Sequence, residues 1–123
     1  MGRISLVVDD EPSVRKYITA ILRTEHFQTV EAEDGAHGLR IVQELGDEVA
    51  LIVSDIQMPN VDGVAFAQAV KASFPAVPII LVSGRAEPNP EFGFIQKPFL
   101  PSTLLNAVRQ LVSDNLITVP ADC

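Results

Sequence analysis

Val49-Ala50-Leu51-Ile52-Val53-Ser54-Asp55 is the stretch that decides the fold. Its first five residues are all apolar, with no polar residue between them. A strand with one wet face alternates apolar and polar residues. An unbroken apolar run suits a strand covered on both faces, as in the interior of a parallel sheet. Ser54-Asp55 ends the run, and Met58-Pro59, Asn60 and Asp62-Gly63 mark residues 56–63 as a loop. The sequence thus predicts a central strand over 49–53 that delivers an aspartate to its carboxyl end.

On both sides of this strand, short apolar runs alternate with helical periodicity, the pattern of a parallel sheet with crossover helices. Upstream, residues 4–8 form a first strand, and Pro12 suits a first helical turn. Val14, Ile18, Ile21 and Leu22 then fall on one helical face. Residues 27–31 give a second, more polar strand suited to a sheet edge. Residues 35–45 give a second helix with Ala36, Leu39 and Val42 inward. Downstream, a third helix reaches about Ser73 with Val64, Ala67 and Val70 in register. Residues 78–83 and 94–96 are a fourth and a short fifth strand. Pro101 opens a last helix through Leu104, Leu105, Val108, Leu111 and Val112.

The connection from 84 to 93 is unusual, with ten residues that include Pro88 and Pro90. A parallel crossover usually takes about a dozen residues or more, and prolines so spaced oppose a regular helix. The expected architecture is α/β: a three-layer, doubly wound, five-stranded parallel sheet of flavodoxin-like order 2-1-3-4-5, with the fourth helix shortened or missing. Its ligand site is expected at the switch point between strands 1 and 3.

The 123 residues suit a single domain spanning 1–123, with its core at about 3–114 and a loose tail over 115–123. An apolar content of 47% argues against intrinsic disorder. A net charge of −7 argues against a nucleic-acid surface and against docking on anionic lipid. Twelve of the sixteen acids lie in residues 1–62, an acidic focus that would draw a cation or a basic partner. The only cysteine, Cys123, allows no internal disulfide and points to a reducing compartment. No apolar stretch is long enough to span a bilayer and no leader pattern opens the chain, so a soluble cytoplasmic domain is expected.

The 2-1-3-4-5 order makes neighbours of Asp9 and Asp10, which end strand 1, and Asp55, which ends strand 3. Two such charges ~4 Å apart repel by about 4 kcal/mol at an effective dielectric near 20. Three together should hold a proton or a cation. Hard oxygen ligands at a wet sheet edge favour Mg²⁺, with Mn²⁺ and Ca²⁺ also compatible. Taken singly, Asp10 before Glu-Pro reads equally well as a helix cap, and Asp55 as an ordinary loop aspartate. Their combination points to a metal. Ser83-Gly84 follows strand 4 and Lys97 follows strand 5 at the same edge. Pro98 restricts Lys97 to extended backbone, and the bond between them is a candidate for the cis form. Acids for a metal, a central carboxylate, a hydroxyl and a cation suit phosphoryl transfer. In such chemistry a carboxylate can itself be the nucleophile.

Val7-Val8-Asp9-Asp10-Glu11-Pro12, Ser54-Asp55-Ile56-Gln57-Met58-Pro59, Asp62-Gly63, Ser83-Gly84 and Lys97-Pro98-Phe99 occur in that order. With them the chain resembles, over essentially its whole length, the receiver domain of bacterial two-component response regulators. That CheY-like family is itself a standard instance of the 2-1-3-4-5 order, so topology and resemblance are one inference. The resemblance implies that Asp55 is the phosphoacceptor, taking phosphate from a histidine kinase or histidine phosphotransfer protein. Asp10, Asp55 and the Gln57 backbone carbonyl would hold Mg²⁺ (or Mn²⁺), with Asp9 acting through water. Ser83 would bond a phosphoryl oxygen and Lys97 would pair with the phosphate. Phe94 matches the aromatic that turns inward when the serine moves, although a core phenylalanine reads the same. Gln57, Gly84 and Arg85 would tune the phosphoryl lifetime, Gln57 and Arg85 by bordering the path of attacking water.

Such a domain switches conformation to signal and catalyses only its own phosphorylation and dephosphorylation. It would act on a downstream protein partner, without direct contact to nucleic acid or membrane insertion. The short 84–93 connection resembles receivers of hybrid histidine kinases and some stand-alone ones. It departs from the full fourth helix of most receivers, which puts the usual output face in question. Three rivals remain. A receiver-like scaffold would bind partners without phosphorylation. A Mg²⁺-dependent phosphoaspartate phosphatase of the haloacid dehalogenase type needs a second Asp where Gln57 stands, or Glu11 if Asp9 were the nucleophile. A flavodoxin-like nucleotide binder needs a phosphate-cradling loop where this chain is acidic. His26 and His37 read as surface residues.

Overall fold

The computed structural model of the protein describes residues 3–85 and 91–115. Five strands form one parallel sheet: β1 (Ile4–Val8), β2 (Gln28–Ala32), β3 (Val49–Asp55), β4 (Ile79–Ser83) and β5 (Gly93–Gln96). Their order is β2-β1-β3-β4-β5, as expected. Four α-helices occur among the described residues: α1 (Pro12–Arg23), α2 (Gly35–Leu45), α3 (Gly63–Ser73) and α4 (Pro101–Asn115). None is long and apolar enough to cross a membrane.

The period of two along each strand sorts the apolar runs into two cores. Leu6 and Val8 of β1, Ile52 of β3 and Leu81 of β4 face α2 and α3, where they meet Val42, Phe66, Ala67 and Val70. Val7, Leu51, Val53, Ile80 and Val82 point the other way, toward Ile18, Ile21 and Leu22 of α1 and Leu104 and Val108 of α4. This explains why residues 49–53 are apolar without alternation: both faces of β3 are dry. β2 lies at one edge and its central residues are only half-buried.

Helix starts follow local chemistry. Pro12 occupies the first turn of α1, where its missing N–H costs nothing. Asp34 and Asp62 cap α2 and α3, accepting from His37 N and Ala65 N at 2.8 Å each. Such caps contribute ~1 kcal/mol apiece.

Several expectations change. β3 does not stop at Val53: Ser54 and Asp55 continue the ladder, so Asp55 is a strand residue. β2 runs from Gln28 to Ala32, one residue later than expected, which leaves Phe27 buried just before it. β4 and β5 each begin one residue away from the expected start. Ala36 is exposed, because α2 approaches the sheet through Gly35, Gly38 and Val42 instead. There, a Cβ on Gly38 would lie 2.9 Å from the Phe66 ring, so the glycine permits the close packing. In α3, Val64 is only half-buried, and Phe66 fills the core beside Ala67 and Val70.

Of the connection between β4 and β5, Gly84, Arg85, Glu91 and Phe92 are non-helical. The expectation of a shortened or missing fourth helix otherwise falls on 86–90, outside the described residues. Asn115, the first residue of the expected 115–123 tail, is instead the last of α4; the rest of that tail and the Val112 side chain lie outside the described residues.

Candidate functional site

Strand register assembles the site at the carboxyl edge of the sheet. Val8 pairs with Ser54, so Asp9, one residue further on, comes level with Asp55. Asp55 pairs with Val82, and Ser83 with Gln96. Lys97 follows directly, and its N–H donates to the Ser83 carbonyl at 2.7 Å. The Lys97–Pro98 bond is cis, the form for which the sequence made it a candidate.

The three acids converge as the topology required. Asp9, Asp10 and Asp55 each offer a carboxylate oxygen, and these atoms lie within 4.8 Å of one another. Their exposures differ sharply: Asp9 is 1% and Asp55 5% exposed, whereas Asp10 is open to solvent. The Lys97 ammonium lies 3.4 Å from Asp9 Oδ2 and 3.4 Å from Asp55 Oδ1. Asp55 Oδ1 is buried and has no hydrogen-bond partner. Lys97 is within ion-pair reach of that oxygen without a well-directed bond to it.

One ammonium therefore faces two buried carboxylates. Burial pushes the Asp55 carboxyl above its ordinary range, and the Asp9 charge pushes it further; Lys97 and a backbone hydrogen bond from Gln57 only partly oppose this. Burial likewise raises Asp9, against the Glu11 N–H, which donates to Asp9 Oδ1 at 2.9 Å, and against Lys97. The donor set is all hard oxygen, it has an excess of negative charge, and one buried oxygen is orphaned. That chemistry fits a small divalent cation such as Mg²⁺.

The reading of Asp10 as a helix cap fails. The residue at the α1 cap position is Glu11, and its side chain makes no cap bond. Glu11 is exposed.

Ser83 is fully buried, and its hydroxyl donates to Gln57 Oε1 at 2.9 Å while accepting from the Arg85 N–H at 3.0 Å. The hydroxyl is thus engaged with the two neighbouring loops. Gly84 is exposed, and a Cβ there would meet nothing within 4 Å. Phe94 is half-buried against the core beneath α2 and α3.

Sequence reasoning left out two supports. At Gly63 a Cβ would collide with the Asp55 carbonyl oxygen and lie 2.8 Å from Ile56 Cα. Only glycine lets the start of α3 press against the end of β3, where Gly63 N also donates to Ile56 O at 2.9 Å. The Asp62-Gly63 pair was visible as a turn signal, but the close approach was not. The second support is Arg15, whose guanidinium donates to the Asp9 backbone carbonyl at 2.8 Å.

The family model for the response regulator receiver domain matches residues 5–109. The chain is 34% identical over 115 residues to the sensor kinase CckA of Brucella abortus (strain 2308), covering 87% of this chain and 12% of that protein. It is 31% identical over 118 residues to the DNA-binding response regulator MtrA of Mycolicibacterium smegmatis, covering 89% of this chain and 50% of that one. The chain thus spans between 12% and 50% of the length of these two relatives. The crystal structure of the receiver domain from the hybrid histidine kinase CckA superposes with a TM-score of 0.79 at 29% identity, covering 89% of this chain and 98% of that one. A response regulator receiver domain protein from Clostridium thermocellum reaches a TM-score of 0.85 at 21% identity, covering 95% and 98%, a likeness of fold. With 5–109 of its 123 residues matched, the chain belongs to the response regulator receiver domains of two-component signalling.

Proposed function

We propose that the domain accepts a phosphoryl group on Asp55 from a histidine kinase or histidine phosphotransfer protein. The observation that carries this reading is the state of Asp55 itself. It is a buried carboxylate with an orphaned oxygen, 3.4 Å from one ammonium and grouped with two further acids. A carboxylate oxygen of Asp55 attacks phosphorus, the bond from phosphorus to the donor histidine nitrogen breaks, and an aspartyl-phosphate results. Asp10, Asp55 and the Gln57 backbone carbonyl would hold Mg²⁺, with Asp9 acting through water, and the metal would supply neutralisation of charge on the phosphoryl oxygens.

The chain's own groups do the rest. Lys97, now shared between Asp9 and Asp55, pairs with a phosphoryl oxygen once Asp55 is esterified. Ser83 leaves Gln57 and donates to another phosphoryl oxygen. That movement opens space beside β4, and Phe94 turns further into the core. Ligand contacts available in only one conformation shift the population toward it, and a change from 1:99 to 99:1 needs about 5.5 kcal/mol of differential binding. Gln57, Gly84 and Arg85 border the phosphoryl group and set how readily water reaches it.

The test is incubation with acetyl phosphate and Mg²⁺, followed by intact mass. The reading expects one phosphoryl adduct that forms only when Mg²⁺ is present. A wild type that takes up no phosphoryl group under these conditions is a receiver-like scaffold and refutes the proposal.

A further inference from the structure

The Asp9–Asp10 peptide is held from outside the acid cluster. Arg15, one turn into α1, reaches back so that Nη1 donates to the Asp9 carbonyl at 2.8 Å. Its Nε donates to Glu31 Oε1 on β2 at 3.0 Å, and Thr19 Oγ1 donates to Glu31 Oε2 at 3.4 Å. Asp9 N in turn donates to the Ala32 carbonyl at 3.1 Å. The Asp10 carboxylate is different. It is exposed, and among the described residues no hydrogen bond or ion pair holds it. The direction in which its side chain leaves the chain is set by its backbone, and the peptide before it is clamped by Arg15.

We infer that Arg15, held by Glu31, is a positioning residue for the divalent-cation seat, aiming the Asp10 carboxylate at the space it shares with Asp9 and Asp55. The inference deepens the reading of this cluster as a Mg²⁺ seat and rests on it. The guanidinium suits the task because its rigid fork presents two N–H groups to two acceptors at a fixed angle. A lysine ammonium at the same place keeps the charge but loses that geometry.

Positioning and plain electrostatics predict opposite signs. A cation beside an acidic seat opposes a second cation, so removing the Arg15 charge alone should tighten Mg²⁺ binding. If Arg15 positions the seat, the same removal weakens it, by about tenfold as for other groups that orient metal ligands.

Mg²⁺ titrations of the full chain, followed by amide NMR, decide between them. For Arg15→Met and Arg15→Lys we expect Mg²⁺ affinity about tenfold below wild type. The Asp10 and Glu11 amides should already be displaced without Mg²⁺, and those of the central strands unmoved. Unchanged or tighter binding in Arg15→Met overturns the inference. If that variant does not fold, Arg15→Lys and Glu31→Gln decide, and wild-type affinity in both overturns it. A wild type whose Asp10, Glu11 and Asp55 amides show no saturable Mg²⁺ response removes the seat itself and this inference with it. Normal wild-type binding with unaffected variants removes the inference alone.

Discussion

Replacing Asp55 with asparagine should make the metal-free protein more stable at neutral pH, although it removes the central group of the site. Lys97 at 3.4 Å attracts the Asp55 charge by about 5 kcal/mol at an effective dielectric near 20. Asp9, within 4.8 Å, repels it by about 3.5 kcal/mol or more on the same scale. These nearly cancel, and the cost of burying a carboxylate, on the order of several kcal/mol, is left over. Lys97 is 24% exposed at an open sheet edge, so water weakens each of these effects. We expect a net gain of ~2 kcal/mol for Asp55→Asn, about 1 M in urea midpoint for a domain of this size.

The pH dependence gives this prediction its sign. The folded-state pKa of Asp55 is raised above its ordinary value of 3.8, so folding favours the protonated acid. Below pH 3.8 the group is protonated in both states and the variant has no advantage from it. As pH rises from 3.8 through the raised folded value, wild type loses stability and the variant does not. Urea unfolding in chelator at pH 7 and again near pH 4 measures both ends. A variant less stable than wild type at pH 7, or an advantage that does not shrink toward pH 4, refutes the reasoning. Saturating Mg²⁺ should then stabilise wild type, by about 2.7 kcal/mol at a hundred times its dissociation constant, and the variant less.

The other predictions concern the supports of the site. Lys97→Met leaves Asp9 and Asp55 facing each other without their shared cation, so the metal-free protein should lose about 2 kcal/mol. The same variant should bind Mg²⁺ more tightly by calorimetric titration, since a competing positive charge is gone; weaker binding would show that Lys97 builds the seat. Gly63→Ala should cost about 3 kcal/mol in urea unfolding, because the new methyl meets the Asp55 carbonyl, which is backbone. Gly38→Ala, where the nearest atoms belong to the Phe66 and Val8 side chains, should cost only about 1 kcal/mol. An equal effect of the two glycines would argue against this distinction.

Much of this arrangement was legible in the chain because strand ends carry their own markers. Ser54-Asp55, the Asp9-Asp10 pair and Lys97-Pro98 each sit at the end of a strand-like segment, and parallel topology turns such ends into one edge. Sequence reasoning misplaced features that depend on packing across elements. Asp55 stays in the strand because Ile56 N still reaches the Val82 carbonyl, at 2.9 Å, and no local signal announces that bond. Helical register sets Ala36 inward with Leu39 and Val42, but α2 needs its glycines at the contact, and Ala36 is exposed. Phe66 was overlooked although Gly63, Phe66, Ala67 and Val70 share one helical face, a signal that was present. Arg15 carries no local signal of its role; its hold on Glu31 links positions 16 residues apart, on α1 and β2, that come together only in the folded chain.

Whether Asp55 receives the phosphoryl group is decided by acetyl phosphate labelling of wild type and Asp55→Asn in Mg²⁺, compared by intact mass. One phosphoryl group is expected on wild type and none on the variant, with the variant folded as judged by its urea transition. An adduct that survives in Asp55→Asn would contradict it.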